Sequence, residues 1–361
     1  MVDIPTVPLT DAEDEDAFSV MRLEKLAQHH GLICEKLQGI EAGTVPNLML
    51  LLPPGSAKST YADVVFVPWF MARKPRRNVI LASYASDIAK KQGRRARQLI
   101  GSQSFQRLMD VQIQSGQAAA DEWALTNGSE YMAGGLLSGL TGNRAGLGII
   151  DDPIKGREAA ESQLIRDKTC DAYTDDFCSR LTPGAPQVMI LTRWHQDDPA
   201  GRILPEDWAG ESGVFEGRDG RTWHVICLPA ICDREDDPLG RQIGETLWPQ
   251  WFSLEHWKPF QRNRRTWSSL YQQKPSPDEG TYFQRDWFKR HTERPKDLAV
   301  YGTSDYAVTD DGGDYTVHRV WGVDPEGAIY LIGGWRGQTA SNVWIEEKLN
   351  LIERFKPFCW F

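Results

Sequence analysis

Cysteine is sparse in this chain: six residues in 361, with no Cys-x-x-Cys pair. Cys34, Cys170, Cys178, Cys227, Cys232 and Cys359 are scattered, which argues against a zinc cage and fits a reducing compartment. No uninterrupted apolar run reaches the ~18 residues of a spanning helix, so no membrane span is expected. Histidine is scarce too, at seven residues. The pair His29-His30 has no partner at metal-ligand spacing and is expected to pack or to face solvent. The first residues lack the basic and apolar regions of a secretory signal. Met1 to Asp16 carries Asp11, Glu13, Asp14, Glu15 and Asp16 instead, and a solvated acidic leader over residues 1–17 is expected. Lys and Arg (41) are outnumbered by Asp and Glu (50), a net charge of −9 that argues against wholesale coating of nucleic acid.

Acid itself is missing from one stretch. Between Arg73 and Arg107 stand Arg73, Lys74, Arg76, Arg77, Lys90, Lys91, Arg94, Arg95, Arg97 and Arg107 against the single acid Asp87. The stretch reads either as a solvated helix face or as a surface for a phosphate backbone, with Arg94, Arg95 and Arg97 as the candidate contacts.

What is present begins with Leu48-Met49-Leu50-Leu51-Leu52, an apolar strand pattern running into Pro53-Pro54-Gly55-Ser56-Ala57-Lys58-Ser59-Thr60. A strand feeding such a loop, with a helix after it, points backbone N–H groups and the positive helix end at an anion. Pro54 to Thr60 would cradle a polyphosphate, Lys58 would reach its β/γ-phosphates and the Ser59 hydroxyl would ligate Mg²⁺. Against the pattern G-x-x-x-x-G-K-[ST], Leu52 and Ala57 replace both glycines, and Gly55 alone supplies freedom for positive φ. A plain strand-turn-helix with a surface lysine is the competing reading.

Further elements follow at the spacing of a parallel sheet with crossover helices. Phe18 to Leu37 has helical periodicity, Lys58 to Phe70 is the next helix, and Asn78 to Ser83 is a second strand. Ser86 or Asp87 would cap a helix reaching Ile100. Leu147 to Ile150 is a strand ending on Asp151-Asp152-Pro153, and Arg157 to Phe177 is expected to be helical, with Leu164, Ile165, Tyr173 and Phe177 on one side. Gln187 to Thr192 is another strand. Ligands bind at the carboxyl edge of such sheets. Asp151 would hold Mg²⁺ there and Asp152 would orient or deprotonate water, although Asp-Asp-Pro also suits a helix-capping turn. Thr192 could sense the γ-phosphate or simply end a strand. Arg144, in a loop before the acidic strand, could stabilise transition-state charge in its own subunit or a neighbour's.

From Leu204 to Pro277 the pattern is irregular and reads as the end of a first domain plus a connector. Length supports two domains. The expected boundaries are an ATPase core over 18–205, its end and connector over 206–297, and a second domain over 298–361. In the latter, Ala299 to Asp305, Asp314 to Val323 and Ala328 to Ile332 read as strands and Gln338 to Phe355 as a helix. Asp305 sits at a strand end, where RNase H-type nucleases place a carboxylate for paired metal ions. For Asp310 and Asp311 a hairpin loop is the better reading.

Together, Leu-Leu-Pro-Pro-Gly-Ser-Ala-Lys-Ser-Thr, Ile-Ile-Asp-Asp-Pro-Ile-Lys-Gly and Leu-Thr-Arg-Trp-His-Gln-Asp-Asp resemble the ATPase motor of tailed-phage terminase large subunits. Ser-Asp-Tyr-Ala-Val-Thr, Gly-Asp-Tyr-Thr-Val and the strand end Gly-Gly-Trp-Arg-Gly resemble the start of that family's nuclease domain. The resemblance implies an α/β chain: a P-loop NTPase sheet followed by part of an RNase H-like domain. It implies ATP and Mg²⁺ in the motor and Mg²⁺ or Mn²⁺ at the nuclease. The implied partners are double-stranded DNA, a portal protein, a small terminase subunit and further copies in a ring, in the host cytoplasm at the procapsid. By position, Lys58 and Ser59 match the phosphate loop, Asp151 and Asp152 the second ATP motif, Thr192 the coupling motif and Asp305 the first nuclease carboxylate. The family's later nuclease acids are expected beyond Phe361, so DNA cleavage by these 361 residues is expected to be weak or absent. A helicase-like remodelling ATPase and a non-catalytic prophage remnant are the alternatives.

Overall fold

The computed structural model describes residues 26–119, 121–138, 144–275, 289, 291, 294–307 and 315–361. The chain divides into two compact units, residues 1–281 and 282–361.

The first unit is built on a nine-stranded sheet in the order β3-β4-β5-β2-β6-β7-β1-β9-β8. The strands are β1 (Asn47–Leu51), β2 (Val79–Ser83), β3 (Ile113–Ala118), β4 (Glu122–Leu125), β5 (Glu130–Gly135), β6 (Leu147–Asp151), β7 (Gln187–Leu191), β8 (Gly213–Glu216) and β9 (Thr222–Cys227). From β5 through β9 all pairings are parallel, and antiparallel strands close both edges. The sheet is buried on both faces, which is why its central strands read as unbroken apolar runs. Leu48 and Leu50 of β1 pack on one side with Leu81, Ile149 and Ile190, while Met49 and Leu51 pack on the other with Ile80, Ile150 and Met189.

Helix α1 (Gln28–Ala42) ends where Gly43 turns left-handed at φ 80° and the N–H groups of Thr44 and Val45 return to Gly39 O. The helix expected over Phe18 to Leu37 runs further, to Ala42; Phe18 to Lys25 and the acidic leader lie outside the described residues. After the loop, the chain is helical from Lys58, passes through a π-helical turn (Thr60–Phe66) and continues as α2 (Val67–Arg73). The widened turn sits directly before Pro68, whose missing N–H leaves one α-helical bond unmade. Helix α3 (Ser86–Ile100) is preceded by Ala85, not capped by Ser86 or Asp87; the Ser86 hydroxyl accepts from Gly135 N at 3.0 Å instead.

Two further expectations need correction. The single helix over 157–177 is broken at Ser162, whose hydroxyl caps the next segment by accepting from Ile165 N, and Leu164 is 62% exposed rather than packed. The stretch from 204 to 277 is not irregular throughout, because β8 and β9 extend the main sheet and β9 pairs directly with β1.

The second unit holds a four-stranded sheet, order β12-β11-β10-β13, from β10 (Ala299–Asp305), β11 (Thr316–Val323), β12 (Ile329–Gly337) and β13 (Cys359–Trp360). Three strands are antiparallel and β13 lies parallel to β10; a helix spans Ser341–Phe355. Its interior carries a directed hydrogen-bond chain. Trp360 Nε1 donates to Ser304 Oγ (2.7 Å), Ser304 Oγ meets His318 Nδ1 (2.8 Å), and His318 Nε2 meets Trp344 O (2.9 Å). Because Trp344 offers only a carbonyl, His318 carries its proton on Nε2 and Ser304 donates to Nδ1. The architecture is therefore mixed α/β, with a large mostly parallel sheet and a small, mainly antiparallel one. All six cysteines are free thiols. Among the described residues, no helix is long and apolar enough to cross a membrane.

Candidate active site

The carboxyl ends of β1, β6 and β7 meet at one sheet edge, with β7 between the other two. Leaving β1, the chain turns through Gly55 at φ 82° and Ala57 at φ 63°. The left-handed freedom is thus not confined to Gly55, and Ala57 takes the strained conformation where glycine is usual in such loops. The turn delivers Lys58 and Ser59 into the edge. Lys58 is 5% exposed, and its Nζ donates to Leu52 O (2.9 Å), Leu191 O (3.2 Å) and Thr192 Oγ1 (2.5 Å). It lies 3.9 Å from Asp152 Oδ1.

The two acids differ. Asp151 ends β6 as a buried residue and accepts from Ser59 Oγ at 2.8 Å. Asp152 is only partly buried and sits at φ 41°. Its carboxylate accepts from Thr192 N at 2.6 Å and, at 3.4 Å, from the Thr192 hydroxyl. Burial first, and then the charge of Asp152, lift the Asp151 carboxyl to about 6, opposed by Ser59 and Lys58.

A third acid went unnoticed in the sequence. Asp63 lies in the π-helical turn, fully buried, and neither carboxylate oxygen has a hydrogen-bond donor among the described residues. Its neighbour is Asp151. Two carboxylates can bond each other only by sharing a proton, and burial together with the Asp151 charge raises Asp63 well above the ordinary carboxyl range. The Arg95 charge opposes that rise. A lone acid inside the apolar run Tyr61 to Phe70 was the available signal.

The His29-His30 pair packs in the interior rather than facing solvent. Both rings are buried, and each places Nε2 3.2 Å from Ser56 O. Burial, before all else, lowers His29 to about 3 and His30 to about 4, so both are neutral imidazoles near pH 7. Trp248 packs edge-on against both rings, at 5.5 and 4.6 Å. Phe252 covers the loop so closely that a Cβ on Gly55 would stand 2.8 Å from its ring. A cavity of about 1200 Å³ adjoins Trp248, lined by Gln28, Arg241, Thr246, Gln250 and Ser253 among others.

Past Thr192, a buried Arg193–Asp198 ion pair (2.8 Å) fixes the chain, and Asp198 also caps the helix Pro199–Ile203 through Gly201 N.

The structure thus gathers Lys58, Ser59, Asp151, Asp152 and Thr192 at one place. It does not bring Arg144 there. Arg144 is exposed and precedes the amino end of β6, whereas the cluster lies at the carboxyl ends; five strand residues at roughly 3.3 Å each separate the two edges. Arg144 thus lies apart from the cluster in this structure. On α3, Arg94 is exposed, Arg95 is half-buried toward Asp63, and Arg97 donates to Ala119 O at 3.1 Å. Asp305 is exposed at the end of β10, in the second unit. Asp310, Asp311 and Asp314 lie outside the described residues.

The donors present suit a hard divalent cation: a hydroxyl and a carboxylate 2.8 Å apart, with a second buried carboxylate beside them. Among the described residues no group of three or more His, Cys, Asp or Glu could cage a metal.

Comparison with known proteins places the chain. No curated protein matches it. Among solved structures, the HK97 bacteriophage large terminase is 13% identical, with 99% of this chain and 71% of that one covered and a TM-score of 0.42. The large terminase of a thermophilic bacteriophage, in complex with ADP, is 12% identical, with 88% and 74% covered and a TM-score of 0.36. A mutant ATPase domain of the Thermus phage P74-26 large terminase is 16% identical, with 66% and 93% covered and a TM-score of 0.43. The family model described as terminase large subunit, T4likevirus-type, N-terminal, matches residues 49–290, more than half of the 361. The chain belongs to the terminase large subunit family.

Proposed function

We propose that the first unit is a P-loop ATPase whose turnover drives double-stranded viral DNA into a procapsid. The observation that carries the reading is the convergence at one sheet edge of Lys58 with Asp152 (3.9 Å) and of Ser59 with Asp151 (2.8 Å). The loop Pro54 to Thr60 would wrap the phosphates with its N–H groups. Lys58 would exchange its carbonyl partners for β/γ-phosphate oxygens. Ser59 and Asp151 would hold Mg²⁺, which neutralises phosphate charge when bound. Asp152, less buried than Asp151, would orient the attacking water and take its proton. The carboxylate of Asp152 already grips Thr192, and Thr192 the Lys58 ammonium, so loss of the γ-phosphate would be felt at the end of β7. The cavity beside Trp248 has room for a nucleoside.

In the same reading Arg144 serves a neighbouring subunit of a ring. The exposed side of α3, with Arg94, approaches DNA. The second unit is an RNase H-like nuclease domain, in which Asp305 would hold Mg²⁺ or Mn²⁺. The setting is the host cytoplasm at the procapsid, with a portal protein and a small subunit as partners. Phosphate release with and without duplex DNA tests the core of the proposal. Turnover is expected in the wild type and lost in Lys58→Ala; a wild type that never releases phosphate would end it.

A further inference from the structure

The phosphate loop of this chain lacks the glycine before its lysine, yet the backbone at Ala57 is left-handed, at φ 63°. Something outside the loop has to hold it there, because such strain persists only where the surroundings over-determine it. The candidates are few. Within the loop and the helix after it, Ser56 N reaches Pro53 O at 3.3 Å and Tyr61 N reaches Ala57 O at 3.1 Å. From outside come the ring of Phe252, packed on Gly55, and two hydrogen-bonding side chains, His29 and His30, both 3.2 Å from the single carbonyl of Ser56. A carbonyl can only accept, so both rings carry their proton on Nε2 and both lone pairs of Ser56 O are filled. The rings are themselves locked: they lie 4.0 Å apart, with Trp248 edge-on and Tyr61 4.5 Å from His30. In a trans peptide the C=O and the following N–H point opposite ways. Clamping Ser56 O toward α1 therefore turns the Ala57 N–H away from α1.

We propose that His29 and His30 are positioning residues of the phosphate loop: they hold the Ser56 carbonyl so that the Ala57 N–H is presented to a bound phosphate, and they stand in for the absent glycine. The inference rests on the ATPase reading above and deepens it.

Asn and Gln variants at each position decide it. A Gln amide nitrogen reaches about as far as Nε2, whereas an Asn amide stops at the level of Nδ1. His30→Asn and His29→Asn are expected to raise the KM for MgATP about tenfold with kcat changed less than about threefold, and the Gln variants to restore KM to within about threefold. On an Ala57→Gly background the Asn penalty should shrink, since glycine takes the left-handed turn unaided. Equal KM values for Asn and Gln, or an Asn penalty unchanged by Ala57→Gly, would overturn the proposal and leave a merely structural pair. Should the Asn variants not fold, nitrogen-15 spectra of the wild-type imidazoles decide. Two neutral rings protonated at Nε2 and shifted by MgADP are expected; an Nδ1-protonated pair, or no shift on saturation, would refute the clamp. Lys58→Ala separates the two ideas. If it abolishes turnover while the histidine variants are silent, only the clamp fails; if the wild type neither hydrolyses ATP nor binds MgADP, both fail.

Discussion

The two units handle acids in opposite ways. In the first, Asp151 and Asp63 are buried against each other and interlocked with Ser59, while Asp152 ties into Thr192 and Lys58. In the second, Asp305 stands exposed at the end of β10, and the partly buried polar chain beside it runs through Ser304, His318 and Trp360 instead. A buried acid pair is costly unless something neutralises it; an exposed acid costs the fold almost nothing. The first unit therefore holds its acid cluster at the expense of stability, a cost that the exposed Asp305 does not incur.

Removing the cation breaks this comparison most severely. Lys58→Ala is expected to lower ATP turnover by about a hundredfold or more, because a preorganised charge at the reacting phosphates is lost. It also leaves Leu52 O, Leu191 O and Thr192 Oγ1 without their donor. A melting curve taken alongside the rate separates lost chemistry from lost fold.

Removing the buried charge should act in the opposite direction on stability. The folded protein holds the Asp151 proton up to about pH 6, against an ordinary value of 3.8. Proton binding is then stronger in the folded state, so stability falls as pH rises from about 4 to 6, and the whole penalty is present above pH 6. At roughly 1.4 kcal/mol per unit, that penalty is on the order of a few kcal/mol. Asp151→Asn is expected to flatten this slope and raise the nucleotide-free melting temperature at pH 8, while abolishing turnover. A melting temperature at pH 8 that falls in the variant would contradict the assignment of strain to this acid.

A smaller effect is expected at the loop itself. Ala57→Gly relieves a left-handed Cβ, and should stabilise the nucleotide-free protein by up to about 1 kcal/mol, offset in part by the added freedom of glycine when unfolded. Chemical denaturation at pH 7 measures it. Destabilisation would mean that the φ of 63° is not strained in solution.

The ease of reading this fold from sequence followed burial. β1, β2, β6 and β7 are buried at every residue, so their apolar runs stood out to within a residue or so. β8 is an edge strand with an exposed valine, and β9 mixes Thr222 and His224 into its run, so neither announced itself although β9 pairs with β1, the strand that leads to Lys58. The proximity of Lys58 to the Asp151-Asp152 pair was legible because all three follow apolar strands of one parallel sheet. Asp63 and the histidine pair were not. What matters about them is the partner across space, Asp151 for one and Ser56 O for the other, and no local periodicity encodes that.

Asp305→Ala gives the smallest expected effect on stability and the sharpest contrast with Asp151. Asp305 is exposed at a strand end, and its backbone pairing with Val317 does not depend on the side chain. Its replacement should therefore shift unfolding by no more than about 0.5 kcal/mol, as is usual at surface positions without special contacts. If Asp305 is a metal ligand, the same variant should weaken Mn²⁺ binding to the second unit, read by calorimetry in protein already carrying Lys58→Ala and Asp151→Asn so that the nucleotide site contributes little. Loss of stability well beyond that figure would show that the acid supports the fold, unlike Asp151. Unchanged Mn²⁺ binding would remove Asp305 from the proposed nuclease site and leave the ATPase reading untouched.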